Sequence, residues 1–191
     1  AHEVKNPLTP IKLSAERIEK KYNDENFDIQ EVLKLTQTIS SQVDDIGKLV
    51  DEFSSFARMP KAEIKMDNLS ETIDESYNLF ANVNSQINMS INKPKNDIFF
   101  NFDRFQLTQA FNNIIKNSVE AVSKIPNPSI KLNYYQKEKR ILFSVVDNGI
   151  GVDEKKISKL FEPYYTTKTK GTGLGLSIVK KIIEDHAGSI K

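Results

Sequence analysis

Asp147-Asn148-Gly149-Ile150-Gly151, followed about twenty residues later by Gly171-Thr172-Gly173-Leu174-Gly175-Leu176, decides how this chain folds. Glycine punctuates both runs. It lets backbone N–H groups approach a ligand closely and adopt conformations that other residues avoid. Successive exposed N–H groups form a nest for anions. After Gly173 the sequence turns apolar at helical spacing, through Leu176, Val179 and Ile183, so the second run opens a helix. A helix start offers free N–H donors and a positive dipole end to phosphates. Asp147 closes a strand-like run, Arg140-Ile141-Leu142-Phe143-Ser144-Val145-Val146. A carboxylate there accepts a hydrogen bond from an exocyclic amine such as that of adenine. A single glycine triplet is usually only a turn. Two in this order, behind an asparagine-rich helix, imply a purine nucleotide held between a carboxylate and a glycine lid.

That helix carries Asn112-Asn113-Ile114-Ile115-Lys116-Asn117-Ser118. Asn113 and Asn117 are four apart and share a helix face, while Ile114 and Ile115 point to the core. Amide oxygens are hard ligands suited to Mg²⁺, which keeps several waters and binds nucleotide phosphates. Alone, the pair reads as two surface asparagines; upstream of Asp147 and Gly171 it reads as ligands.

Around these runs the rhythm is mixed. Residues 63–66, 86–92 and 97–102 read as strands, the second by the alternation of Ile87, Met89 and Ile91. Asp67 or Asn68 caps a helix bearing Leu69, Ile73, Tyr77 and Phe80. A long helix over 104–124 carries Phe105, Leu107, Phe111, Ile114, Ile115, Val119 and Val122. Strands follow over 129–135 and 139–146, then a short helix over 153–160. The expected architecture is an α/β sandwich with helices on one sheet face.

The first sixty residues differ. A helix over 1–22 carries Leu8, Ile11, Ala15, Ile18 and Tyr22, and Pro7 and Pro10 predict a kink just after His2. Asp28 with Glu31 has the form of an N-cap and capping-box partner. The second helix, to about Met59, carries Val32, Leu35, Ile39, Val43, Ile46, Val50, Phe53 and Ala57. One helical hairpin offers too little surface to bury both seams. Two would make a four-helix bundle, so a homodimer is expected. The boundary between the regions falls at about residue 60, in the proline-containing stretch 58–65.

Bulk properties exclude several classes. With 38% apolar and 28% charged residues the chain is globular, not disordered. Its net charge of +1 gives no bulk attraction to nucleic acid. It has no cysteine, hence no disulfide, thiolate metal site or thiol catalysis. No apolar run approaches bilayer length.

His2-Glu3-Val4-Lys5-Asn6-Pro7 lacks the second histidine of the His-Glu-x-x-His zinc pattern, since Asn6 stands there. A histidine beside a carboxylate can instead serve as a nucleophile; a plain surface histidine is the alternative.

Five stretches, in order, resemble the H, N, G1, F and G2 boxes of bacterial sensor histidine kinases. They are residues 2–7, 113–117, 147–151, Phe161-Glu162-Pro163-Tyr164-Tyr165-Thr166-Thr167-Lys168, and 171–176. The H box and the short lid are similar to nitrogen-regulation sensor kinases of the NtrY type. The resemblance implies a dimerisation and histidine phosphotransfer domain over 1–60 and a catalytic ATP-binding domain of the Bergerat type over 61–191. By the same resemblance His2 is the phospho-acceptor, Glu3 its acid–base partner and Asn117 the Mg²⁺ ligand, assisted by Asn113. Asp147 binds the adenine amine, and Gly149, Gly151, Gly171, Thr172, Gly173, Leu174 and Gly175 shape the pocket and lid. Many members carry a basic residue three positions after the Mg²⁺ asparagine. Here Glu120 stands there, and Lys168 or Lys170 is expected to supply the charge. Asn6, one turn after His2, orients water for dephosphorylation of a response-regulator receiver domain; its other reading is to solvate backbone freed by Pro10. The ends imply a C-terminally truncated fragment, the cytoplasmic portion of a membrane-anchored sensor whose sensory and membrane parts are absent.

The competing class is an ATPase clamp related to gyrase, the heat-shock chaperones or the mismatch-repair ATPases. In those a glutamate one turn before the Mg²⁺ asparagine activates water. Here that position is Asn113, and an amide takes no proton at neutral pH.

Overall fold

The computed structural model describes residues 2–22, 28–168 and 171–190, with no description of the side chains of residues 2–5, 22, 52 and 55–57. Two compact units divide the chain: residues 1–59 with 166–174, and residues 60–165 with 175–191.

The first unit is built on a helical hairpin, α1 (His2–Tyr22) packed on α2 (Ile29–Ala57). α1 runs without interruption through Pro7 and Pro10. The two prolines lack N–H groups, so the carbonyls of Glu3 and Asn6 lose their usual intrahelical donor. Asp28 caps α2, but its carboxylate accepts from Gln30 N at 2.9 Å. Glu31 is paired with Lys21 on α1, so the expected capping partner serves as a cross-hairpin ion pair.

The expected seams hold in part: Ile11 and Ile18 of α1 and Val32, Leu35, Ile39 and Ile46 of α2 are covered, and the side chains of Tyr22 and Ala57 lie outside the description. On α1 Leu8 and Ala15 are exposed, and the covered positions among the described side chains are Pro7, Pro10, Ile11, Ser14, Ile18 and Lys21. On α2 the covered positions are Val32, Leu35, Ile39, Gln42, Ile46 and Leu49. Val43, Val50 and Phe53 belong instead to an outer stripe with Ile29 and Leu33, each about half exposed or more. Two apolar stripes with nearly the same period overlap in one helix, and periodicity alone does not separate them.

The second unit holds two small sheets. β1 (Lys65–Asn68) runs antiparallel to β3 (Phe99–Phe102). The larger sheet is ordered β2 (Asn88–Asn92), β4 (Ser129–Lys137), β5 (Arg140–Asp147). β2 lies parallel to β4, so the chain crosses over between them, and β4 is antiparallel to β5. Three helices accompany the sheets: α3 (Leu69–Val83), α4 (Arg104–Val122) and α5 (Gly175–Asp185). α4 packs on α3, α5 and β5. The short helix expected after the first glycine run is present as a 3₁₀ helix, Glu154–Lys159.

Alternation along the strands builds the core. Ile130, Leu132 and Tyr134 of β4 are buried, with Lys131 exposed and Asn133 half-buried between them. Ile130 and Leu132 join Ile87, Ile115 and Val122, with Phe143 and Val145 of β5 packed alongside. α5 is rotated slightly from the sequence reading, burying Ile178, Val179 and Ile182. Phe105, expected inside, is 76% exposed because the first turn of α4 instead buries Gln106 and Leu107. Gln106 Nε2 donates to Pro60 O at 3.0 Å. Caps fix the helix starts: Asn68 Oδ1 accepts from Glu71 N, and Asp103 Oδ1 from Gln106 N. Asp103 N donates in turn to His186 Nε2 at 3.0 Å, tying the start of α4 to the end of α5. Arg104 spans Glu75, Glu71 and Asp67 at 2.8, 3.2 and 3.2 Å, and those contacts, led by Glu75, raise its pKa further.

Leu132 is fully buried at the centre of the sheet. Leu132→Ala is expected to cost about 2–5 kcal/mol in urea unfolding. A loss below about 1 kcal/mol would mean that the core is not assembled around β4.

Candidate functional site

The site in the second unit begins with the phase of β5. Ile141, Phe143, Val145 and Asp147 are half-buried, and Leu142, Ser144 and Val146 are exposed. Asp147 therefore shares a face with the core side chains. That face meets α4, where the Phe143 and Phe111 rings lie 4.7 Å apart at 46°. On α4, Ile115, Ser118 and Val122 are buried on one side. Asn113 and Asn117 are half-buried, and Lys116 and Glu120 are exposed.

Asp147 is gripped at both oxygens. Ser118 Oγ donates to Oδ2 at 2.9 Å, and Gly149 N donates to Oδ1 at 3.0 Å. A carboxylate oxygen has two lone pairs, so each retains capacity for an incoming amine. The loop after Asp147 is pinned on two sides. Asn148 Oδ1 accepts from Ser129 N at 2.8 Å, and its Nδ2 donates to Asn127 O at 3.0 Å. Ile150 N donates to Ala121 O at 3.3 Å, holding the loop on the end of α4.

Gly149 is required there by space. A Cβ would stand 2.7 Å from both Ala121 Cβ and Asp147 Oδ1, and 2.8 Å from the Ala121 carbonyl carbon. Gly151 has φ +67°, the left-handed region. Gly175 opens α5, and a Cβ on it would be 3.9 Å from the Asn113 amide, an ordinary contact. Asn113 therefore stands beside a helix start, where N–H donors and the positive dipole end lie.

The remaining candidates belong to the first unit. His2 and Glu3 are in the first turn of α1, with side chains outside the description; Asn6 follows one turn later and is exposed. Lys168 is exposed, and its N–H donates to Thr166 Oγ1 at 3.1 Å. A Cβ at Gly171 would meet that same hydroxyl at 2.6 Å. Gly173 has φ +68°. Leu174 is buried, and its N–H donates to Thr172 Oγ1 at 3.4 Å. Lys170 lies outside the described residues.

Sequence reasoning missed Ser118 and Asn148. Ser118 had a signal: it falls in helical phase with Ile115 and Val122, so its hydroxyl is buried and needs a partner. Among the described residues no group of three or more His, Cys, Asp or Glu side chains gathers to hold a metal. The Asn113 amide oxygen beside a helix start, with Asn117 one turn further along α4, fits Mg²⁺, which takes few protein ligands and completes its shell from phosphates and water. The cradle at Gly149, closed to a Cβ, and the doubly held carboxylate fit a flat base bearing an amine.

Residues 1–61 match the family described as His Kinase A (phospho-acceptor) domain. Residues 102–191 match Histidine kinase-, DNA gyrase B-, and HSP90-like ATPase. The catalytic domain of histidine kinase ThkA is similar at 36% identity and a TM-score of 0.59, over 64% of this chain and 81% of that one. Histidine kinase ThkA in complex with response regulator protein TrrA is similar at 29% identity and a TM-score of 0.73, over 98% of this chain and 53% of that one. The chain belongs to the histidine kinases. The nitrogen regulation protein NtrY of Azorhizobium caulinodans is 41% identical over 197 residues, covering 100% of this chain. The chain spans 25% of the length of NtrY. Among the described residues no helix is long and apolar enough to cross a membrane.

Proposed function

We propose that this chain is the core of an ATP-dependent protein-histidine kinase that phosphorylates itself on His2 and passes the phosphoryl group to an aspartate of a response-regulator receiver domain. The observation that carries this is the Asp147 carboxylate, held by Ser118 and Gly149 on the helix-covered face of the sheet. Its remaining lone pairs accept the adenine amine. Guanine has a carbonyl oxygen at that position, which would face the carboxylate without a proton between them. Backbone N–H groups of residues 171–175 and the start of α5 receive the phosphates. Asn117, with Asn113 nearby, holds Mg²⁺, which when bound draws negative charge from the phosphate oxygens. Lys168 and Lys170 supply further positive charge.

In the transfer step an imidazole nitrogen of His2 forms a bond to the γ-phosphorus. The bond from phosphorus to the β,γ-bridging oxygen breaks, ADP leaves, and Glu3 takes the imidazole proton. Asn113 cannot act as a base toward water, which favours transfer over hydrolysis and weighs against an ATPase clamp. The outer apolar stripe of α2 supports a homodimer formed through the hairpin. The response regulator TrrA bound to ThkA supports the partner class. The location of this core on the cytoplasmic side of a membrane-anchored sensor belongs to the same proposal. So does a second activity, dephosphorylation of the receiver by a water that Asn6 orients.

One experiment separates these roles. With γ-labelled ATP and Mg²⁺, the wild type should gain acid-labile label and His2→Gln should gain none. Label retained by His2→Gln would overturn the assignment. Asn6→Ala should keep the label yet lose phosphatase activity on a phosphorylated receiver. Loss of both would make Asn6 structural, and loss of neither would remove it from the mechanism.

A further inference from the structure

We infer that Ser118 is a positioning residue for base recognition, fixing the plane of the carboxylate that the adenine amine meets. The inference rests on the nucleotide reading of Asp147. A serine inside a helix commonly turns its hydroxyl back to a carbonyl of the preceding turn. Ser118 instead donates to Asp147 Oδ2 at 2.9 Å, across 29 positions of sequence, from a side chain only 6% exposed.

The second torsion of aspartate is broad, so one donor leaves the carboxylate plane free to turn, whereas two donors on opposite oxygens set it. The other donor, Gly149 N, lies two residues after Asp147 and moves with the same loop. Ser118 is the donor that ties the carboxylate to a separate element. It also adjoins Asn117, the proposed Mg²⁺ ligand, on α4. The base-recognising and phosphate-binding ends of the site are thereby referred to a single helical turn. Losing the hydroxyl should blur the orientation of Asp147 and leave the phosphate end in place.

The test is a double-mutant cycle on Mg²⁺-ADP and Mg²⁺-GDP binding by calorimetry, using Ser118→Ala, Asp147→Asn and the pair, with Ser118→Thr as the variant that keeps the hydroxyl. Ser118→Ala should weaken ADP roughly tenfold. It should shrink the preference for ADP over GDP, raise the KM for ATP and leave kcat at saturating ATP near wild type. Ser118→Thr should retain the preference for ADP better than Ser118→Ala. In the Asp147→Asn background, Ser118→Ala should add little. Wild-type binding by Ser118→Ala would overturn the inference, as would an equal loss in both backgrounds. If Asp147→Asn itself leaves ADP binding intact, the base-recognition reading of Asp147 falls as well. That outcome is distinct from failure at Ser118 alone.

Discussion

Gly149→Ala is expected to lower adenine nucleotide affinity on the order of 10²-fold and to destabilise the second unit by about 1–3 kcal/mol. The added methyl has no place to go. It would lie 2.7 Å from Ala121 Cβ, 2.7 Å from Asp147 Oδ1 and 2.8 Å from the Ala121 carbonyl carbon. Two of these neighbours cannot yield cheaply: one is helix backbone, and the other is the carboxylate that Ser118 and Gly149 already hold. The loop must lift from α4, which breaks the Ile150 N to Ala121 O bond and carries Asp147 out of position. Ala121→Gly in the same chain removes the Cβ–Cβ contact alone and should restore affinity in part. Calorimetric titration with Mg²⁺-ADP and urea unfolding read the two effects separately. Wild-type values for Gly149→Ala in both would mean that the loop does not lie against the helix.

Asn117→Ala is expected to reduce His2 phosphorylation on the order of 10²-fold or more while the chain remains folded. The side chain is half-buried, next to the buried Ser118 and two positions after the core residue Ile115. Removing it opens no core cavity, so unfolding midpoints should stay near wild type. The loss should be steepest at low Mg²⁺ and partly relieved by excess Mg²⁺, as for a metal ligand and not for a base contact. A midpoint collapse would reassign Asn117 to the fold, and undiminished labelling at every Mg²⁺ concentration would remove it from the metal.

The local decisions of this fold were legible along the chain. Strand alternation, the helix period and the polar caps act over a few residues, and they marked the strands of the second unit, the long helix with Asn113 and Asn117, and the helix after the second glycine run. The phase of Asp147 was equally available, since it continues the alternation of Ile141, Phe143 and Val145. Tertiary structure decided what depends on distant partners. Of two overlapping apolar stripes on α2, one covers the hairpin interior and the other stays outside; a period of three and four residues describes both. The parallel pairing of β2 with β4 across an intervening strand and helix is likewise a non-local choice. So is the separate reason for each glycine of the two runs: crowding by Ala121 at Gly149 and by Thr166 at Gly171, a left-handed backbone at Gly151 and Gly173, and open contact at Gly175. The bond from Ser118 to Asp147 belongs with these. The sequence determines that Ser118 faces inward on its helix, because helical geometry sets that phase. Only the packing of α4 on β5 determines that a carboxylate waits there, because burial leaves the hydroxyl no water and the acceptor it takes comes from another part of the chain.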